Sequence, residues 1–204
     1  MDLGWFAGLA GFALAMAATP GPNNAMVAAS GASYGLARTL PLMAGIVIGV
    51  ATIMLTVAAF GPSVAADAWF GPMLKWVGIA YLLWLAWRIA RAEPAPRGAG
   101  PEGGAPPSFV QGALLQFVNP KLWMMVGGAV ATYGQAAGGA GRTTLALALA
   151  AVVGAVTFVS TLAWTAFGAV AARLLASRRA VRAFNLAMAA LLVASLIPIV
   201  LETP

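Results

Sequence analysis

The sequence of 204 residues contains neither cysteine nor histidine, and it has only five acidic residues. Without cysteine there is no disulfide framework, thiol nucleophile or iron–sulfur cluster. Without histidine, the common zinc sites and the histidine-based catalytic triads lose an essential member. We therefore expect no metal ion, no cofactor and no enzymatic activity.

Charge is also scarce. Only 8% of the residues are charged and 62% are apolar, whereas a soluble domain carries about 25% charged residues. This composition excludes a soluble globular domain, a coiled coil and a disordered chain, and it favours a protein that crosses a membrane several times. The net charge of +6 would also suit nucleic acid, but the basic residues lie mostly in short connections between apolar segments. We expect membrane lipid, and no nucleic acid, as their partner.

Six apolar segments are long enough to cross a membrane. A hydrocarbon core of about 30 Å requires about 20 mostly apolar residues in a helix. The sequence therefore predicts an all-α membrane protein with six transmembrane helices. The predicted spans are approximately Leu3–Ser30, Leu40–Ala58, Trp69–Trp87, Phe109–Thr132, Leu145–Val170 and Arg182–Leu201.

A segment rich in proline and glycine separates the first three spans from the last three. Residues 91–107 contain five prolines and four glycines, which favours a flexible linker over a helix. Ser108 follows as the expected N-cap of the fourth span. We predict a single membrane domain whose halves, residues 1–90 and 108–204, are joined by this linker.

The distribution of positive charge predicts the orientation in the membrane. The first, third and fifth connections carry eight arginines, whereas the termini and the other two connections carry only Arg142. Lysine and arginine accumulate in cytoplasmic loops. The linker is therefore expected in the cytoplasm and both termini on the periplasmic side.

The two halves resemble each other, and each has proline inside its first span. Pro20 aligns with Pro120, and residues 32–35 (Ala-Ser-Tyr-Gly) align with residues 131–134 (Ala-Thr-Tyr-Gly). Because each half has three spans, the second half must lie inverted relative to the first, as in many secondary transporters. Proline removes a backbone hydrogen bond, so the first helix of each repeat is expected to break. Such breaks in a membrane either line a site or are ordinary kinks.

Lys121 is the most informative charged residue. It lies 13 residues after Ser108, or roughly 20 Å along a helix, and so well inside the membrane. A lysine there costs about 2.5–3.5 kcal/mol, and the positive end of a helix beginning at Pro120 disfavours it further. No acidic residue lies in a predicted span. The carboxylate of a substrate would neutralise this lysine; alternatively, its side chain extends to the interface.

Three asparagines flank the predicted breaks. Asn119 is placed to cap the helix after the second break, and Asn23 and Asn24 follow Pro22, which suits the first position of a helix. Their amides either bind the ammonium and carboxylate groups of a substrate or only repair the interrupted backbone. The candidate substrate-binding residues are Pro20, Gly21, Pro22, Asn23, Asn24, Asn119, Pro120 and Lys121.

Several motifs together resemble the LysE/RhtB superfamily of bacterial amino-acid exporters over nearly the whole chain. Residues 19–24 (Thr-Pro-Gly-Pro-Asn-Asn) resemble its first-helix signature, and residues 116–121 (Gln-Phe-Val-Asn-Pro-Lys) resemble its fourth-helix signature. Residues 75–82 resemble its third-helix pattern, and Gly45 and Gly49 match its second-helix glycines. Members of this family that export basic amino acids often carry an aspartate directly after these second-helix glycines. In this chain Gly49 is followed by Val50, which indicates the branch that exports neutral amino acids.

The resemblance implies a secondary transporter in the bacterial inner membrane, driven by the proton gradient and working by alternating access. Its substrates would be neutral amino acids or close derivatives, of the threonine, homoserine, leucine, cysteine or O-acetylserine type. A small metal-ion transporter and a membrane subunit that transports nothing are the alternatives. Gly45 and Gly49 permit close helix packing, either within the chain or in a homodimer.

Overall fold

The computed structural model describes residues 1–60, 70–91, 106–135, 137, 139–174 and 177–201. Every regular element in these ranges is a helix, which confirms the all-α prediction. Most of the predicted linker, residues 92–105, lies outside the described residues. The helices are α1 (Leu3–Ala18), α2 (Pro22–Phe60), α3 (Phe70–Arg91), α4 (Phe109–Phe117), α5 (Pro120–Gln135), α6 (Arg142–Leu174), α7 (Arg178–Ala194) and α8 (Ile197–Leu201).

Both predicted proline breaks are present. The first break separates α1, which ends at Ala18, from α2, which begins at Pro22. The second separates α4 from α5, which begins at Pro120. Proline fits the first helical position because its missing N–H would have no partner there. Ser108 caps α4 as predicted and forms a capping box with Gln111.

The helix α2 folds back on itself at Gly35. This residue has φ 77° and ψ 174°, outside the helical region. The hydroxyl oxygens of Ser30 and Thr39 lie 2.9 Å apart across it, whereas residues nine apart in a straight helix are separated by about 13.5 Å along its axis. The connection predicted between the first two spans thus contains a turn made at one glycine, and Arg38 lies in the helix that follows the turn.

Two of the described helices, α2 and α6, are each long and apolar enough to cross a membrane. Large apolar side chains are also exposed on the outside of the bundle, among them Ile48, Trp84, Val159 and Phe167. Such a surface fits a membrane protein, because lipid tails can cover what water cannot. The other four predicted spans remain predictions.

The centre of the bundle is a set of close helix crossings. The helix α2 packs against α4 and α6, and α3 packs against α7. Gly31 of α2 contacts the backbone of Thr165, and Gly168 of α6 contacts the backbone of Ala28. The glycines proposed for close packing, Gly45 and Gly49, contact α4 of the same chain, so their small size is explained by contacts within the chain.

One end of the bundle, which we call the basic end, gathers several helix ends. Tyr34 before the turn in α2, Arg88 of α3 and Pro107 before α4 line one cavity there. The end of α6 is also close, because Gly168 lies against the backbone of α2. The described arginines near this end are Arg38, Arg88, Arg91, Arg173, Arg179 and Arg182.

Candidate functional site

The two helix breaks lie against each other and form a small cavity with α6. About 40 Å³ of this cavity is open to the centre of a water molecule, which is room for only a few waters. Met16 and Ala17 of α1, Val50 of α2, and Leu122 and Met125 of α5 provide apolar walls. The polar part of the lining consists of Asn23, Asn24, Asn119, Lys121, Thr157, Ser160 and Thr161.

Lys121 reaches from the second break to the first. Its Nζ donates to the backbone oxygens of Thr19, at 2.7 Å, and Pro20, at 3.3 Å. These carbonyls follow the end of α1, where the helix dipole is negative and favours a cation. The lysine therefore has a partner inside the chain, which the sequence did not reveal, and its half-buried side chain ends at the first break.

Gly21 is small because Lys121 occupies the adjacent space. A Cβ atom at Gly21 would lie 3.1 Å from both Cδ and Nζ of the lysine. A methyl group at this position would therefore require the end of the lysine to shift by a few tenths of an ångström. The glycine between the two prolines is thus required for close approach.

Asn24 repairs the first break. Its Nδ2 donates to the carbonyl of Ala17, at 2.7 Å, and to that of Thr19, at 2.9 Å. Ser160 of α6 also donates to the Ala17 oxygen, at 2.9 Å. Carbonyls at the end of a helix lack internal partners and are costly to bury unpaired. Of the two roles considered for Asn24, the structure shows backbone repair.

Asn23 joins the two halves of the chain through a pair of amides. Its Nδ2 donates to Oε1 of Gln116, at 3.0 Å, and its Oδ1 accepts from Nε2 of Gln116, at 2.9 Å. Gln116 is fully buried in α4 and donates its second amide hydrogen to Gly112. The pair ties the start of α2 to the end of α4 without any charge.

Asn119 lines the cavity and carries a buried acceptor. The residue is only 3% exposed, and its Oδ1 has no hydrogen-bond partner among the described residues. The first N–H groups of α5, from Leu122 and Trp123, bond instead to the backbone oxygen of Asn119. The prediction that its side chain caps α5 was therefore wrong, and an acceptor remains free for a donor from outside the chain.

The structure brings the candidate residues to one place. Gly21, Pro22 and the three asparagines line the cavity with Lys121, Pro20 supplies a carbonyl, and Pro120 begins α5. The sequence reasoning missed the α6 hydroxyls Thr157, Ser160 and Thr161. Their spacing of three and four in an otherwise apolar helix is a signal that places them on one face.

A polar cavity formed where two helices break inside an apolar bundle is typical of secondary transporters. The family described as LysE type translocator matches residues 14–198, and the chain belongs to this family. The family is one of transporters and not of enzymes.

Three curated relatives share a name. The cysteine/O-acetylserine efflux protein of Klebsiella pneumoniae subsp. pneumoniae is 43% identical over 112 residues, which are 54% of this chain and 56% of that protein. The proteins of the same name from Salmonella typhimurium and Escherichia coli O9:H4 are 38% and 37% identical over the same shares. The chain thus aligns with about half the length of these relatives. No solved structure matches the chain.

Proposed function

We propose that the protein exports neutral amino acids or close derivatives, of the cysteine or O-acetylserine type, across the bacterial inner membrane. One observation carries the proposal: Lys121 and Asn119 line one cavity between two broken helices, and the amide oxygen of Asn119 has no partner among the described residues. A free amino acid presents a carboxylate and an ammonium together. The names of the curated relatives support this substrate class.

The geometry suggests an exchange of partners on binding. The substrate carboxylate pairs with the ammonium of Lys121 and draws it away from the carbonyls of Thr19 and Pro20. Each carbonyl can then accept a hydrogen bond from the substrate ammonium, that of Thr19 alongside the bond it keeps from Asn24, and Oδ1 of Asn119 is a further acceptor. A cation thus lies at the negative end of α1 both before and after binding: first the ammonium of Lys121, then that of the substrate.

The cavity at the breaks is small. The part of it open to the centre of a water molecule is about 40 Å³, which is room for only a few waters on that measure. We propose that the two breaks move apart when a substrate enters, as alternating access requires.

We further propose six spans in two inverted repeats within one transport domain, residues 1–90 and 108–204. The breaks support this assignment, because α1 and the start of α2 correspond to α4 and α5. The packing agrees: α2 contacts α4, and its counterpart α6 contacts α1. The clustering of arginines at the basic end supports a cytoplasmic location for that end and for the linker, residues 91–107, and a periplasmic location for both termini. A homodimer remains a prediction.

The test is export by bacteria that overproduce the protein and are fed cysteine- or serine-containing dipeptides. We expect wild type to raise cysteine or O-acetylserine in the medium, and Lys121→Met to lower that rate about tenfold or more, since hydrogen bonds to charged groups are the strong ones. Arg142→Gln, which removes an exposed charge at the start of α6, is the matched control and should export normally.

Each outcome has a separate meaning. If wild type exports nothing beyond the empty vector while present in the membrane, amino-acid export is wrong, and metal resistance becomes the next assay. If Lys121→Met exports as well as wild type, the proposal of export is retained, and the proposal that Lys121 binds the substrate carboxylate is wrong. If an uncoupler of the proton gradient leaves export unchanged, the proposed driving force is wrong. Transport by the purified protein alone in liposomes would exclude a subunit that needs a partner.

A further inference from the structure

A second cavity lies at the basic end and is larger than the one between the breaks. Its volume is about 230 Å³ on the measure that gives about 40 Å³ for the central cavity. Three elements form it: the segment of α2 before Gly35, the last turns of α3 and the start of α4. The lining residues used below are Ser33, Tyr34, Tyr81, Trp84, Arg88 and Gln111.

Two helix faces, one on α3 and one on α2, form opposite walls of this cavity. On α3, its residues Tyr81, Trp84 and Arg88 recur at intervals of three and four, so they lie along one face. On α2, the residues from Met26 to Tyr34 form the opposite wall. Met26 lies one turn beyond Pro22, which lines the central cavity.

The chemistry of the cavity is that of an anion site with neutral hydrogen-bonding groups. Arg88 is the cation in its lining, and the guanidinium carbon lies 5.1 Å from the ring centroid of Trp84. Among the described residues Asp2 is the one acidic residue, and it caps α1. No described carboxylate therefore neutralises Arg88. The hydroxyls of Tyr34 and Tyr81 and the amide of Gln111 add groups that both donate and accept.

We propose that this cavity is a receiving site, which binds the carboxylate of an amino acid through Arg88 before the molecule moves to Lys121. The inference rests on the proposed function and adds a second binding site to it. Arginine suits this role because its planar guanidinium binds a carboxylate in a bidentate manner and stays charged. The aromatic face of Trp84 holds the guanidinium in place while leaving its N–H groups available.

Position and size both favour an amino acid as the occupant. The site lies at the basic end, which the proposed topology places in the cytoplasm, where an exporter collects its substrate. Residues 22–24 of α2 line the central cavity and residues 26–34 line this one, so consecutive turns of one helix connect the two sites. Its volume of about 230 Å³ accommodates a small molecule.

Arg91 is a matched control for Arg88. Its guanidinium carbon lies 4.7 Å from the ring of Trp87 in the same arrangement one turn further along α3, but it is not part of the cavity lining. Removing either charge changes the net charge and the interaction with lipid equally. Only removal of Arg88 alters the proposed site.

The first experiment measures uptake of labelled O-acetylserine or cysteine into inside-out membrane vesicles as a function of concentration. We expect Arg88→Gln to raise the half-saturating concentration about tenfold, as for loss of a charged hydrogen-bond partner, with little change in the maximal rate. Arg91→Gln should match wild type. An unchanged half-saturating concentration in Arg88→Gln, or an equal rise in Arg91→Gln, refutes the receiving site.

The second experiment separates this inference from transport itself. Binding of the same amino acid is measured by equilibrium dialysis to purified protein in phosphatidylcholine nanodiscs, with the central site disabled by Lys121→Met. Weak binding that disappears on adding Arg88→Gln supports the receiving site, even if the wild-type vesicles transport nothing and the proposed function fails. If the Lys121→Met protein binds no amino acid while Arg88→Gln still alters uptake, Arg88 acts through a lipid phosphate and the inference is wrong.

Discussion

The close crossing of α2 and α6 predicts a large difference between two glycines of the same helix. A Cβ atom added to Gly168 would lie 2.7 Å from the carbonyl carbon of Ala28 and 2.9 Å from its Cα, and closer still to its oxygen. At Gly154 the nearest atom would be a methyl carbon of Val47 at 3.8 Å, an ordinary contact. The atoms that a methyl group at Gly168 would meet belong to the backbone of Ala28, which cannot rotate away. A methyl group at Gly154 fits beside Val47 without any movement.

The magnitudes follow from two opposing terms. Alanine in place of glycine stabilises a helix by up to about 1 kcal/mol, and this gain is common to both sites. Overpacking against backbone costs about 1–3 kcal/mol or more, and only Gly168→Ala incurs it. We therefore expect Gly168→Ala to be destabilised by about 1–2 kcal/mol, which for a chain of this length lowers Tm by about 2–8 °C. Gly154→Ala should melt at or above the wild-type temperature.

The assay is thermal denaturation of purified protein in detergent, followed by the loss of the monodisperse peak on size-exclusion chromatography. The two variants carry the same substitution in the same helix, so differences in detergent or expression do not separate them. If Gly168→Ala melts at the same temperature as Gly154→Ala or above it, the close approach of α2 and α6 is not what the glycine provides.

Three further outcomes follow from single contacts. A double-mutant cycle with Asn23→Leu and Gln116→Leu should give a coupling of about 0.5–1.5 kcal/mol in thermal unfolding, and additive effects would deny the amide pair. Gly35→Ala should lose about 1–3 kcal/mol because its φ is 77°, whereas Gly141→Ala, in open space, should not; equal melting temperatures contradict this. Gly21→Ala should reduce export at normal abundance in the membrane, because its methyl group would lie 3.1 Å from Nζ of Lys121 and force the ammonium to shift; unimpaired export would count against that contact.

The breaks were predictable because their causes are local. Proline is disfavoured in the interior of a helix and favoured at its first position, so Pro20, Pro22 and Pro120 indicated both interruptions. The turn at Gly35 was not predictable in the same way. Glycine is frequent in this chain, with 24 residues, and nothing in the sequence distinguishes the one glycine that reverses a helix from those that only let helices approach.

The partner of Lys121 shows a different limit. The predicted spans contain no acidic residue that could pair with it. Its partners are instead the backbone oxygens of Thr19 and Pro20. Backbone carbonyls are present at every residue, and only the packing of one break against the other makes these two available. The cavity at the basic end is hidden for a similar reason: Tyr34, Tyr81 and Gln111 are distant in sequence and meet only in the folded bundle.

The segment of α2 between Pro22 and Gly35 has a consequence for thermodynamic linkage. It forms one wall of the cavity at the breaks and one wall of the cavity at the basic end, and a helix of about four turns tilts as a rigid rod. A ligand that favours one tilt at either cavity must change the affinity at the other. Because such coupling is reciprocal, the factor is the same in both directions, and the two cavities cannot be tuned independently.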